Sequence, residues 1–180
     1  MAVNYSEAAL LGRCANGIAG TVNFLNKRLV GVEQSSTITS LTHINTLTNK
    51  GYTFAAILEQ QVRSFGSTKV GSGEWVDVVL GMMWLKVNIR EQVFYSIANP
   101  EKLGYTNEGA AAIESAIRSV ISQAKGYKIV ATDSPINVNT PNVLDLTPQQ
   151  RNSRNLPNVR FSCRLEGAIN STQIRGEVYV

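Results

Sequence analysis

Glu74-Trp-Val-Asp-Val-Val-Leu-Gly-Met-Met-Trp-Leu-Lys-Val-Asn-Ile-Arg-Glu-Gln-Val-Phe-Tyr-Ser-Ile-Ala98 is the stretch on which the fold turns. Val76, Leu80, Met83, Val87 and Phe94 lie near one line at helical spacing, and Leu85, Ile89, Val93 and Ile97 widen that line into a broad apolar stripe. Glu74 and Asp77 fall in the first turn, where the helix dipole favours acids. Asn99-Pro100 stops the run, because proline pushes the residue before it out of the helical region. The spacing predicts a helix over 74–98. So wide a stripe needs cover from several neighbours, which predicts that this helix is the most buried element. Aspartate at Leu80 or Met83 is then expected to unfold the domain.

Toward the C-terminus a second helix is predicted over 108–125, capped by Thr106 or Asn107 and ended by Gly126. Ile113, Ile117, Val120 and Ala124 form its buried stripe, and Glu114, Arg118, Ser122 and Lys125 lie opposite. Short strands follow at 127–131 and 136–139, then a polar, proline-punctuated loop over 140–157. Val159, Phe161, Cys163 and Leu165 alternate with Arg160, Ser162, Arg164 and Glu166, the signature of a half-buried strand. Ile174, Gly176, Val178 and Val180 alternate again to the end of the chain.

Toward the N-terminus the readings are a short helix over 6–11 with Ser6 as N-cap, a strand over 21–25 and a turn-containing stretch over 27–32. A short amphipathic helix over 39–49 carries Leu41, Ile44 and Leu47 and ends at Gly51. Two strands over 52–58 and 61–65 precede a glycine-rich loop at 66–73. The fold class is α/β (α+β): a single compact domain with a small mixed sheet packed against two main helices, and an extended C-terminal strand. The sheet should contain 159–166 and at least one segment from 127–139.

The chain has 180 residues, 43% of them hydrophobic, enough for a core of respectable size. Charged residues are only 17%, against roughly 25% in typical soluble domains. A surface poor in charge and rich in Asn, Ser, Thr and Gln suits interfaces. The net charge of +4 is uneven, with Arg151, Arg154, Arg160, Arg164 and Arg175 set against Glu166 and Glu177 near the end. No targeting pattern opens the sequence, and the apolar stretch at 75–85 is broken by Asp77 and Gly81 and is too short for a bilayer. A soluble protein made in the cytoplasm, without a membrane partner, is expected. Cys14 and Cys163 read as reduced thiols.

No motif for chemistry emerges. His43 stands alone on an amphipathic helix and reads as a surface or satisfied side chain. There is no GxSxG, CxxC or HExxH pattern. The run Gly66-Ser-Thr-Lys-Val-Gly71-Ser-Gly73 superficially looks like a phosphate loop, but Glu74 follows where Lys-Ser/Thr should stand, and a carboxylate there repels phosphate. The C-terminal arginines lack the interleaved aromatics of nucleic-acid surfaces. The reading is a structural building block, with no catalytic activity, cofactor, metal or nucleic acid.

Four pieces of sequence resemble the contractile-tail sheath proteins of bacteriophages, in order and over nearly the whole chain. Thr21-Val-Asn-Phe-Leu-Asn-Lys-Arg-Leu-Val-Gly-Val32 is similar to the family's strand followed by "K-x-L-x-G-V". Gly71-Ser-Gly-Glu-Trp-Val-Asp77, continuing to Trp84-Leu85, resembles its "G-x-x-x-D" lead into the long helix. Lys102-Leu-Gly-Tyr-Thr-Asn-Glu-Gly109 resembles "K-I-P-Y-T-D-x-G", with Gly104 for the usual proline and Asn107 for the usual Asp. Leu165-Glu-Gly-Ala-Ile-Asn170 and Ile174-x-Gly-x-Val178 resemble the closing strands.

The resemblance is to the family's C-terminal part, and it implies that residues 1–180 are the inner, assembly-forming domain of a longer sheath subunit. Such subunits stack around a tail tube in the virion, exchange terminal strands with neighbours and contract to drive the tube through the host envelope. The implied partners are other sheath subunits and the tail tube protein, with this fragment alone monomeric or a weak oligomer. The intersubunit strand would be carried by Ile174, Gly176, Glu177, Val178, Tyr179 and Val180. The tube-facing helix would present Glu114, Arg118, Ser122 and Lys125. Another virion part, baseplate or tube, is the alternative within the structural class. A polyanion-binding module using the basic C-terminal stretch is the alternative outside it.

Overall fold

The computed structural model describes residues 5–34, 38, 40–173 and 175–177. The α+β class expected from the sequence is what the chain forms, though its plan differs in two respects. Contacts sort into two compact units, one holding residues up to Gly17, Val22–Asp77 and the residues from Gly167 on, the other Ile18–Thr21 and Val78–Glu166. In place of one mixed sheet, the described strands form two separate antiparallel pairs. One pair belongs to the first unit and the other to the second.

In the first unit, α1 (Ser6–Cys14) starts at Ser6 itself; Tyr5 holds the cap position without a side-chain bond. α2 (Leu41–Asn49) is capped as helices usually are, the Ser40 hydroxyl accepting from the His43 N–H. β1 (Thr53–Leu58) and β2 (Gln61–Gly66) pair as a hairpin in which Leu58 opposes Gln61. The two-residue turn between them puts Glu59 and Gln60 at φ 50° and 64°. That is the mirror-image turn matching strand twist, here built without the Asn-Gly that relieves its strain.

The strand expected at 21–25 is displaced. The segment that lies along β2 is 26–29, where the Asn26 and Leu29 N–H groups donate to the Ser64 and Val62 carbonyls, both at 2.9 Å. The buried Ser64 hydroxyl fixes it, donating to the Phe24 carbonyl (2.6 Å) and accepting from the Lys27 N–H (2.9 Å). Leu29, Val32 and Ala55 make this unit's small core.

The second unit is built on α3 (Val76–Ala98, its first two residues assigned to the first unit) and α4 (Asn107–Gly126). The Thr106 side chain caps α4 by accepting from the Gly109 N–H. Gly109 has no room for a side chain, since a Cβ there would stand 2.0 Å from the Gly104 carbonyl oxygen. Ile117, Val120, Ile121 and Ala124 of α4 meet Leu85 of α3 together with Ile129 and Val130. β3 (Asn137–Asn139) pairs with β4 (Arg160–Ser162), Val138 opposite Phe161. Further along, Val130 bridges Leu165. Of the half-buried strand expected over 159–166, only Arg160–Ser162 is strand and all three of its residues are exposed, Phe161 lying along the open groove; it meets the 127–139 region at β3 and at the Val130–Leu165 bridge.

The expected ranking of the two main helices is overturned. α3 buries only Gly81 and Leu85, whereas α4 buries seven residues, so α4 is the element at the heart of the core. Leu80 is half-buried and Met83 is 57% exposed, so the expected effect of aspartate at Met83 does not follow. The cause is that α3 is apolar nearly all round. Periodicity then cannot say which side meets the core, and the side that does is the one carrying Gly81, Leu85 and Ile89. Gly81 also admits the backbone of Gly20, whose Cβ, were there one, would lie 2.5 Å from the Gly81 Cα. Finally, the loop expected at 140–157 contains a 3₁₀ turn (Val143–Asp145) and α5 (Pro148–Asn152). Thr147 and Gln150 form a capping box around α5, and Pro148 opens it.

Candidate functional site

The charged face expected on α4 is largely turned onto the chain itself. Arg118 donates from Nε to Glu114 Oε1 (2.8 Å), from Nη1 to the Ile136 carbonyl (2.9 Å) and from Nη2 to the Val138 carbonyl (3.3 Å). Alternate carbonyls of one strand share an edge, so Arg118 sits where a further strand would otherwise pair with β3. Glu114 Oε2 also accepts from the Thr140 hydroxyl (3.2 Å). Its carboxyl is held below the usual range, first by the Arg118 hydrogen bond, against a smaller opposing cost of desolvation. Lys125 donates to the Thr132 carbonyl (3.2 Å) and to that of Ser134. Ser122 is exposed. Three of the four residues therefore hold the 132–140 segment against α4.

The sequence pieces singled out above also act as pins. The Asn23 amide donates to Asn170 Oδ1 (2.8 Å), joining the first piece to the last. Asp77 Oδ2 accepts from the Ala168 N–H (3.2 Å), joining the second to the last. Asn107 Oδ1 accepts from the Val143 N–H (2.8 Å), which ties the start of α4 to the 3₁₀ turn. Of the expected intersubunit strand, Ile174, Val178, Tyr179 and Val180 lie outside the described residues. Gly176 and Glu177 are exposed and belong to no regular element.

What sequence reasoning missed is surface. Met83, Val87 and Phe94, spaced to share one face of α3, are 57%, 53% and 63% exposed. Beside that face, α3 and the β4 region enclose an open groove of about 660 Å³ whose floor includes Leu85, Ile89, Val93 and Leu165. A second hollow of about 470 Å³ adjoins it, sharing Ile89, Val93 and Phe161, and reaches Leu103, Ile113 and Val143. Cys163 lines the groove, half-buried, and burial raises its thiol pKa. The signal for this surface was present: a helix hydrophobic on every side has more apolar face than two neighbours can cover.

The remaining candidates are absorbed into structure. Lys69 of the glycine-rich loop lies over the Trp75 ring, 5.0 Å from its centre. Arg151 donates to the Leu146 carbonyl (2.8 Å), and Arg164 pairs with Asp133 (2.5 Å). Cys14 is buried, which raises its pKa as well. Among the described residues, no group of three or more His, Cys, Asp and Glu side chains is placed to hold a metal ion, and no helix is long and apolar enough to cross a membrane.

No family model matches the chain, and no curated protein does. Solved structures do. A chain in the six-fold symmetrised cryo-EM structure of the anti-feeding prophage baseplate superposes with a TM-score of 0.71 at 10% identity, over 96% of this chain and 49% of that one. A chain in the anti-feeding prophage helical sheath in its contracted state gives 0.58 at 12% identity, over 86% and 44%. This chain therefore spans about half the length of those chains. At such identity the likeness is one of fold: the protein has a fold found both in the baseplate of the anti-feeding prophage and in its contracted sheath.

Proposed function

We propose that this protein is a structural subunit of a contractile tail, the assembly-forming part of a sheath-type subunit, and not an enzyme. One observation carries the reading: nearly the whole chain, 96% of it, follows the fold of a chain in a contractile apparatus's baseplate. The agreement with a contracted sheath, and the four ordered sequence pieces, support the same reading. So does the apolar surface of α3, which is of the kind that assemblies cover. In this reading the subunit works without cofactor, membrane or nucleic acid. It packs with copies of itself around a tail tube protein in the virion, and strand addition between neighbours keeps the copies linked while the tail contracts.

A baseplate role is the second reading. It is favoured by the fuller overlap with the baseplate chain, a TM-score of 0.71 against 0.58. Quantitative mass spectrometry of purified particles separates the two, because a sheath needs many copies per tail and a baseplate ring only a few. Absence of the protein from particles, together with no rings or tubes of the purified protein by electron microscopy, would overturn both.

A further inference from the structure

We propose that the trough formed by the groove and its adjoining hollow receives an acidic amphipathic segment of a different protein. The two depressions share Ile89, Val93 and Phe161 in their linings, and both border α3. From Met82 to Ile97 this flank of the helix extends roughly 22 Å at 1.5 Å per residue, which is the length of about four helical turns of an incoming segment. Their floor is apolar. The charged side chains that line them are Lys86, Arg90 and Arg154, all cations. None of the three side chains makes an ion pair or hydrogen bond among the described residues, whereas Arg118, Arg151 and Arg164 all do. An apolar floor with unpaired cations along it is complementary to a segment with apolar residues on one face and carboxylates beside them.

A second copy of this chain is a poor occupant. The chain is itself basic, with 17 Lys and Arg against 13 Asp and Glu, and its acids are dispersed along the sequence. Nucleic acid is a poor occupant too: among the described residues the aromatic rings lining the two depressions are Phe161 and Tyr105, the latter donating its hydroxyl to the Asn155 carbonyl, too few for a run of stacked bases. The proposal does not depend on a contractile-tail role.

The test is fluorescence anisotropy with a labelled peptide of about sixteen residues, carrying leucine and phenylalanine at i, i+4 spacing on one face and glutamate elsewhere. A control peptide carries lysine in place of every glutamate. The acidic peptide should bind with a Kd of about 10–100 μM at low salt, tighter than the control by tenfold or more. Lys86→Glu with Arg90→Glu should weaken it about tenfold, and Lys86→Gln with Arg90→Gln by a smaller factor; both pairs are exposed, and circular dichroism confirms folding. Bound peptide should protect Cys163, followed by mass spectrometry, from maleimide. Equal binding of the lysine peptide would overturn the proposal. So would indifference to the Lys86 and Arg90 changes, equal competition by a single-stranded oligonucleotide, unprotected Cys163, or no binding at 1 mM peptide.

Discussion

Arg118→Met keeps most of the side chain's apolar stem and removes all three of its hydrogen bonds: to Glu114, to the Ile136 carbonyl and to the Val138 carbonyl. An exposed i, i+4 ion pair contributes about 0.3–0.5 kcal/mol. A hydrogen bond between a charged donor and a carbonyl is worth about 1.5–3 kcal/mol when buried. Arg118 is exposed, so water replaces much of each carbonyl bond, and the longer one at 3.3 Å is weak. About 0.5 kcal/mol apiece is a fair discount, giving a total loss of about 1–2 kcal/mol. The larger part should come from the carbonyls and not from the salt bridge. Urea denaturation of Arg118→Met, Glu114→Gln and the double variant separates the two. The coupling between 114 and 118 should be about 0.5 kcal/mol or less, with most of the loss remaining in the double variant. If the coupling accounts for the whole loss, Arg118 does not stand in for a strand on the edge of β3. If Arg118→Met matches the parent within 0.3 kcal/mol, the network contributes nothing.

The depressed Glu114 pKa stabilises the fold above the unfolded carboxyl's range of about 4.3, and that contribution is lost as pH falls through the lower folded value. The stability gap between parent and Glu114→Gln should thus be constant from pH 7 to about 5 and close below about 4, read from urea midpoints; a gap that widens in acid contradicts it. Ile121 has no exposed surface, so Ile121→Ala should cost about 2–5 kcal/mol, while Met83→Ala on the open face of α3 should cost less than about 0.5. Equal losses would mean that the Met83 face of α3 is packed as tightly as Ile121. In the hairpin, Glu59→Asn with Gln60→Gly relieves two positive-φ residues and should raise stability by about 1–2 kcal/mol in thermal melts. A lowered melting temperature would refute the mirror-image turn.

How far the candidate site was legible follows from particular residues. Glu114 and Arg118 could be seen as a charged pair on one helix face, because i, i+4 spacing is local. That Arg118 then spends its remaining donors on the Ile136 and Val138 carbonyls was not visible, because those carbonyls come from a strand eighteen to twenty residues away. The cations along the trough were hidden for the same reason: Lys86 and Arg90 are ordinary helix residues until the β4 region is folded beside them and the groove they line is formed. α5 was legible in principle, since Thr147-Pro148-Gln-Gln150 spells a capping box, but its five residues are too short to show a period.

By itself the sequence determined the elements whose stabilisation is local. The spacing of apolar residues, Thr106 as a cap, and Pro100 and Gly51 as stops place the main helices, and the alternation at 159–165 marks a strand at β4. The tertiary structure decided what depends on which surfaces meet. A helix as uniformly apolar as α3 is helical whichever side is covered. Its own sequence leaves that choice open, and it was settled by the small residues Gly20 and Gly81, which let two backbones touch there, and by α4, whose apolar residues are confined to one side and can pack only that way. The groove, the open face carrying Met83, Val87 and Phe94, and the burial of α4 all follow from that docking, because burial belongs to pairs of surfaces and not to any one segment of chain.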